Sequence, residues 1–337
     1  MATIADVAKK AGVSVATVSR VLNKQSTVSG KTVSRVKAAI EELSYEPNML
    51  ARNFRRSESR VILILAPNIT NPYYAHILSG IGAKARSLGY SALICTTEED
   101  KAREAEYLDM LAKNRADGAI LLATENDEDY FREIVSQYSL VQCSEPFTHL
   151  ETAHVSIDNY KAARHVVRHL LDTGHQRIAT ISSVNNYTST GQRLMGYKDE
   201  LLEAGLAAEP EMIVYGSRDY SFASGYEAAK KLLQQRPRPS AIFCISDMLA
   251  LGAVHAAKDM GLLVPGELSV IGFDDVEYAT TFSPALSTVA QPCYQLGECS
   301  MELLFSLMNG GDVSKKQMVL DFNLIIRDSS APLHAGL

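Results

Sequence analysis

The stretch Thr3–Asn23, TIADVAKKAGVSVATVSRVLN, constrains this chain more than any other. It reads as two short helices joined by a tight turn. Thr3 is placed to cap the first helix, because its hydroxyl can accept from a free first-turn N–H. Ile4, Val7 and Ala8 recur at helical spacing and form one apolar face. Gly12 suits the turn, where a left-handed backbone costs little only for glycine. Ser14 can cap the second helix, and Val18, Val21 and Leu22 face back toward Val7 and Ala8. Val15, Ala16, Thr17, Ser19, Arg20 and Asn23 are left facing outward or sideways. This is the helix-turn-helix pattern, whose second helix enters the DNA major groove by its N-terminal residues. An ordinary helical hairpin would show the same apolar spacing. Small outward residues with one arginine favour a groove-facing helix, and so does the segment that follows.

A third amphipathic helix is expected over 31–43, with Val33, Val36, Ile40 and Leu43 closing a small three-helix core. Pro47 ends it. Asn48 can cap a short helix from Met49 to about Arg55, too short to be stable alone. Arg52, Arg55 and Arg56 surround Phe54 in that segment.

The linked motifs resemble the lactose/galactose repressor family. Thr3–Ala8, Ala11–Ser14 and Thr17–Asn23 match its opening, followed by Glu46-Pro47-Asn48 and Ala51-Arg52. The match returns at Ser246–Gly252 and Ile271–Asp275, so it spans essentially the whole chain. Ala290-Gln291-Pro292-x-Tyr294 and Leu324–Arg327 are most similar to its nucleoside-responsive members. The resemblance implies that Thr3, Ser14, Val15, Ala16, Thr17, Arg20 and Asn23 serve the major groove. It implies a hinge helix at about 48–56, with Arg52 nearby and Phe54 wedging into the minor groove. The usual family residue at that wedge is leucine, so Phe54 is a departure.

Charge is divided along the chain. Residues 1–60 hold eleven Lys/Arg against five Asp/Glu, a balance of +6, and the rest holds 22 against 34, a balance of −12. The basic part is where a polyanion would bind. No apolar run approaches the ~18 residues of a membrane span, and no apolar leader opens the sequence, so a cytoplasmic location is expected. The five cysteines are scattered without a CxxC pair and are expected to be reduced thiols packed as small hydrophobes.

From Arg60 onward, strand-like apolar runs alternate with helical segments in two series, the first running to Cys143 and the second starting at His154. Such alternation means parallel sheets with helices on both faces. The expected fold is therefore an N-terminal all-α helix-turn-helix headpiece plus a two-lobed α/β unit of doubly wound parallel sheets, like periplasmic binding proteins. The headpiece would cover 1–58 and the effector and dimerisation unit 60–337. By resemblance, lobe one holds about 60–157 and 290–316, lobe two about 158–286 and 320–333, and the chain crosses near 158, 288 and 320.

Ligands of open parallel sheets bind at the carboxyl ends of strands. The polar and aromatic residues placed there are Tyr73, Tyr74, Glu145, Arg193, Tyr220, Ser246, Asp247 and Asp274. The resemblance assigns effector contacts to Tyr73, Tyr74, Arg193, Tyr220, Ser246 and Asp274; strand position adds Glu145, while Asp247 is expected to cap a helix. An arginine fork and a carboxylate suit vicinal hydroxyls, and tyrosines suit a ring face. A nucleoside is the expected effector, with a sugar second.

No GxGxxG follows a strand, no Walker A motif is present, and His165 and His169 lack a third ligand, so neither enzyme activity nor a cofactor or metal is expected. The expectation is a homodimeric, effector-controlled repressor on near-palindromic operator DNA. The alternative is a transport solute-binding protein, which the two-lobed part alone would fit.

Overall fold

The computed structural model describes residues 2–22, 28–45, 58–312 and 316–333. The chain divides into two compact units, Met1–Ser59 and Arg60–Leu337. The first unit contains α1 (Ile4–Ala11), α2 (Val15–Leu22) and α3 (Gly30–Glu42). Its core is Val7, Ala8, Ala11, Val18, Val36 and Ala39, with Ile4, Val21, Leu22, Ile40 and Leu43 packed around it. Three short helices share this one cluster because none could bury its apolar face alone.

The second unit holds two six-stranded sheets. The first has the order β11-β5-β4-β3-β1-β2, from β1 (Val61–Ala66), β2 (Ser91–Thr96), β3 (Gly118–Leu121), β4 (Leu140–Cys143), β5 (His154–Ile157) and β11 (Gln317–Leu320). The second has the order β12-β10-β9-β8-β6-β7, from β6 (Ile178–Ser183), β7 (Ile213–Gly216), β8 (Ala241–Cys244), β9 (Ser269–Asp274), β10 (Ser287–Ala290) and β12 (Asn323–Ile325). All pairings are parallel except β10 with β12. Central strands such as β1 read as unbroken apolar runs because helices cover both faces.

Helices α4 (Pro72–Ser87), α5 (Lys101–Ala112), α6 (Glu128–Gln137) and α12 (Cys293–Met308) flank the first sheet. Helices α7 (Asn159–Asp172), α8 (Thr188–Glu203), α9 (Phe222–Leu233) and α10 (Asp247–Asp259) flank the second. A short α11 (Tyr278–Thr281) follows β9. The chain leaves the first sheet after Ile157, returns after Ala290, and leaves again after Leu320. Pairing carries β10 past the expected 286 boundary into the second lobe and β11 past 316 into the first. The strand alternation read from sequence had not included β7, β10, β11 or β12. These are three- or four-residue strands, and β11 lies at a sheet edge where the apolar signal is diluted.

Two close helix contacts set the lobes' internal geometry. A Cβ on Gly80 of α4 would lie 2.1 Å from the Tyr294 carbonyl oxygen of α12. A Cβ on Gly225 of α9 would lie 2.3 Å from the Leu249 carbonyl oxygen of α10. No side chain fits at either position. The five cysteines are free, and four are buried. Burial pushes the Cys95 and Cys143 thiols up to about 11, so they stay protonated.

Candidate functional site

The helix-turn-helix unit is built by local capping. Thr3 and Asp6 form a reciprocal capping box on α1, with Asp6 N–H donating to Thr3 Oγ1 at 3.3 Å and Thr3 N–H donating to Asp6 Oδ2 at 2.9 Å. The Thr3 hydroxyl bond also holds the Asp6 carboxyl below the usual range. Gly12 ends α1 at φ +62°, and Ser14 Oγ accepts from the Thr17 N–H at 3.2 Å to open α2. Arg35 of α3 donates to the Gly12 carbonyl at 3.3 Å and ties the turn down. These bonds leave Ser14, Val15, Ala16 and Arg20 exposed along one end and side of α2, with Thr17 half-buried. Thr3 is exposed at the start of α1. Asn23, Arg52 and Phe54, and the hinge segment 48–56 as a whole, lie outside the described residues.

In the second unit, the carboxyl ends of β4, β7 and β9 carry non-glycine residues in the left-handed region: Ser144 at φ +77°, Tyr220 at +56°, Asp274 at +120° and Asp275 at +56°. Such conformations cost about 1–3 kcal/mol each and cluster at functional sites. Ser144, Tyr220 and Asp274 are buried, and Asp275 pairs with Arg327 at 2.7 Å. Tyr73 donates to Ser144 Oγ at 2.6 Å, and its ring meets Tyr74 edge-on at 5.3 Å. Tyr220 shares a 2.6 Å bond with Thr190 Oγ1 on α8. Burial pushes the Tyr220 hydroxyl up to about 12. Burial also raises Tyr74 well above its ordinary value, and nearby Tyr187, Tyr220 and Glu145 add to the shift. These tyrosines therefore converge on one space from both lobes.

Arg193 and Asp274 form the charged centre. Arg193 Nε donates to Asn159 Oδ1 at 2.9 Å, and Nη1 donates to the Ile245 carbonyl at 2.7 Å. Its guanidinium lies over the Phe273 ring, 3.7 Å from the centroid. Asp274 Oδ1 is 3.8 Å from Arg193 Nη1 and accepts from Gln291 Nε2 at 2.7 Å. Burial pushes Asp274 up to about 7, against the pull of Arg193 and Gln291. Burial, and then the Asp274 charge, also hold Asp247 well above the carboxylate range. Two buried carboxyls this close resist ionising together. Tyr73, His76, Asp274, Gln291 and Cys293 help line a recess of about 340 Å3.

Three of the expected side chains also make bonds within the protein, and one of these bonds corrects the expected cap of α10. Ser246, not Asp247, caps α10, with its hydroxyl accepting from Leu249 N–H at 3.4 Å. Asp247 is the first residue of the helix and is fully buried; it accepts from Val276 N–H at 2.9 Å and from Thr288 Oγ1 at 2.6 Å. It therefore fixes the loop that follows Asp274. Glu145 reaches from the end of β4 to α8 of the other lobe, where one carboxylate oxygen accepts from Ser189 N–H at 3.0 Å and the other from the Ser189 hydroxyl. It supplies the cap that Tyr187, at the N-cap position, does not make with its own side chain.

Further bonds join the lobes on the same rim. Thr188 Oγ1 donates to the Pro146 carbonyl at 2.9 Å, and Tyr187 donates to Glu125 at 3.2 Å. Arg218 donates to Glu99 at 2.9 Å and to Glu125 at 2.6 Å. Sequence reasoning missed Tyr187, Thr190, Arg218, Asn159 and Gln291. Tyr187 had a usable signal, because it opens the helix after β6, just as Tyr73 does after β1.

Residues 3–48 match the model for bacterial regulatory proteins of the lacI family, and residues 167–330 match a periplasmic binding protein-like domain. The HTH-type transcriptional repressor CytR of Escherichia coli is 38% identical over 335 residues, covering 98% of this chain and 97% of that protein. The chain belongs to the lacI family. This regulator is also 31% identical to the repressor PurR of Photobacterium profundum, over 99% of this chain and 100% of PurR. The Lac repressor dimer bound to operator and the anti-inducer ONPF aligns over 98% of this chain and 99% of its own, with a TM-score of 0.88 and 28% identity. Membership makes the protein a transcription regulator and neither an enzyme nor a transport binding protein. Among the described residues, no helix is long and apolar enough to cross a membrane.

Proposed function

We propose that this regulator represses transcription as a homodimer on near-palindromic operator DNA, under control of a neutral nucleoside bound between its lobes. Ser14, Val15, Ala16, Thr17 and Arg20 would meet the major groove, and Thr3 the phosphate backbone. The exposed, apolar-plus-arginine surface of α2 supports that reading. Asn23, Arg52 and Phe54 keep the groove and hinge roles implied by the family. A protein working on DNA belongs in the cytoplasm.

The observation that carries the effector class is the Arg193–Asp274 pair set among Tyr73, Tyr74 and Tyr220. A fork donor and a carboxylate match two adjacent hydroxyls, and the tyrosines offer faces and edges to a flat base. Arg193 is the basic side chain at this centre, and Asp274 offsets its charge, so a phosphate dianion finds no surplus positive charge. Ser246 and Glu145 frame the site through α10 and α8. A plain sugar shares the hydroxyl chemistry but leaves the tyrosines unused.

Calorimetric titration with a panel of nucleosides, purines and sugars tests the proposal. A nucleoside should bind the wild-type protein and lose about tenfold or more in affinity with Asp274→Asn, because the amide replaces one acceptor by a donor. Operator affinity of that variant without effector should match wild type. Uptake of a sugar or an acid with no nucleoside uptake would refute the effector reading and leave the repressor reading standing.

A further inference from the structure

Two buried amides sit where the chain passes between the lobes. Asn159 follows the first crossing, two residues after β5 ends at Ile157. Gln291 is the first residue after β10, on the second crossing. Each amide touches one member of the charged pair. Asn159 Oδ1 accepts from Arg193 Nε at 2.9 Å, while its Nδ2 donates to the Ile157 carbonyl at 3.4 Å, the last residue of a first-lobe strand. Gln291 Nε2 donates to Asp274 Oδ1 at 2.7 Å, while the backbone carbonyl of Gln291 accepts from Cys293 N–H at 2.8 Å, where the first-lobe helix α12 begins. Both side chains are less than a tenth exposed, so water does not substitute for these bonds.

We propose that Asn159 and Gln291 are positioning residues: from two separate crossings they hold the Arg193 guanidinium and the Asp274 carboxylate in the geometry that receives the effector. The Asn159 amide is fastened to the Ile157 carbonyl on one side and to Arg193 on the other, whereas the Gln291 amide holds Asp274 and its backbone is tied to the start of α12. The arrangement is asymmetric. Arg193 has a second anchor at the Ile245 carbonyl and a ring beneath it, whereas Asp274 relies on Gln291 for its short neutral donor. Gln291 should therefore matter more to Asp274 than Asn159 does to Arg193.

The proposal depends on the effector reading for its ligand but not for its geometry, so its test needs no ligand. Asp274 is faced by Arg193 from α8, Asp247 from α10, Glu145 from the loop after β4, Tyr73 from α4 and Cys293 from α12. Its folded-state value lies above the ordinary one, so its contribution to stability is complete at low pH and is lost as pH rises toward 7. Removing the Gln291 donor takes support from the ionised form and moves that loss to higher pH.

Urea unfolding between pH 5 and 9 should show the window shifted up by about one pH unit in Gln291→Met, whose side chain is close in volume. The shift should vanish when Asp274→Asn is the background. A parallel readout is the Arg193 Nε–H NMR resonance, identified by its loss in Arg193→Lys. Asn159→Ala should move it and speed its exchange with water at least tenfold. An effect of Gln291→Met that is equal at every pH, or unchanged in the Asp274→Asn background, would overturn the role of Gln291. An unmoved Arg193 resonance would overturn the role of Asn159. If Gln291→Met does not fold, Gln291→Leu serves the same cycle.

Discussion

Removing the carboxylate of Glu145 should open the lobes without unfolding either one. Glu145 stands at the end of β4 in the first lobe, and its partners are the N–H and hydroxyl of Ser189 in the first turn of α8 in the second. Bonds to a charged acceptor contribute about 1.5–3 kcal/mol each, and loss of a helix cap costs about 1 kcal/mol. Against this, a carboxylate freed into water regains hydration, and burial already raises its pKa above the ordinary value. A net loss of about 2 kcal/mol follows for Glu145→Ala, or roughly 30-fold in the ratio of closed to open lobes. Arg218 bridges the same rim to Glu99 and Glu125, but its side chain is 36% exposed. Screened pairs of that kind contribute about 0–1 kcal/mol, so Glu145 should dominate closure. Each lobe keeps its own core, so the urea midpoint should change little. Spin labels at the exposed positions Glu106 and Lys198 report the lobe separation by pulsed dipolar spectroscopy in the absence of effector. Glu145→Ala should lengthen and broaden the distance distribution, and Glu145→Gln, which keeps an acceptor oxygen, should do so less. A distribution identical to wild type in both variants would refute this account of closure.

Three further outcomes are expected. Arg20→Ala should weaken operator binding by about 1–3 kcal/mol more than binding to random DNA, since a base contact is lost along with a charge; equal losses in a gel-shift titration would mean that Arg20 touches only phosphate. Effector affinity should fall as pH drops below about 7, by up to tenfold per unit, because hydroxyls donate to ionised Asp274 and burial holds its proton up to that range; calorimetry at pH 6 and 8 decides, and equal affinities would contradict it. Gly225→Ala should destabilise the second lobe by at least 1–3 kcal/mol, because its Cβ would lie 2.3 Å from a backbone oxygen that cannot yield without parting α9 from α10; an unchanged urea midpoint would show that the helices can separate freely.

Much of this architecture is local and therefore legible in residue order. Capping at Thr3 and Ser14 and the turn at Gly12 need only neighbours within a few positions, so the helix-turn-helix could be read directly. The buried strands β1, β3, β8 and β9 announce themselves as apolar runs because both of their faces are covered. The rule that ligands gather at strand carboxyl ends singles out Tyr73, Glu145 and Asp274, and the family resemblance adds Arg193 and Tyr220 to the expected effector contacts. Short edge strands escaped because three or four half-exposed residues carry no distinct period.

Tertiary structure alone decided how those side chains are used. Ser246 and Asp247 are adjacent, and either could have capped α10; the choice followed from Thr288 and the Val276 N–H, 41 and 29 residues further along, which claim the Asp247 carboxylate. Glu145 follows a strand end, and the partner it takes there is the start of a helix 44 residues downstream, because the lobes bring α8 against it. Arg218 meets Glu99 and Glu125 across separations of 119 and 93 residues. Sequence specifies helix ends, strand cores and the class of site through short-range sterics and hydrogen bonding. Which partners each carboxylate takes depends on distances between residues far apart in the chain, and those distances exist only once the two sheets have packed.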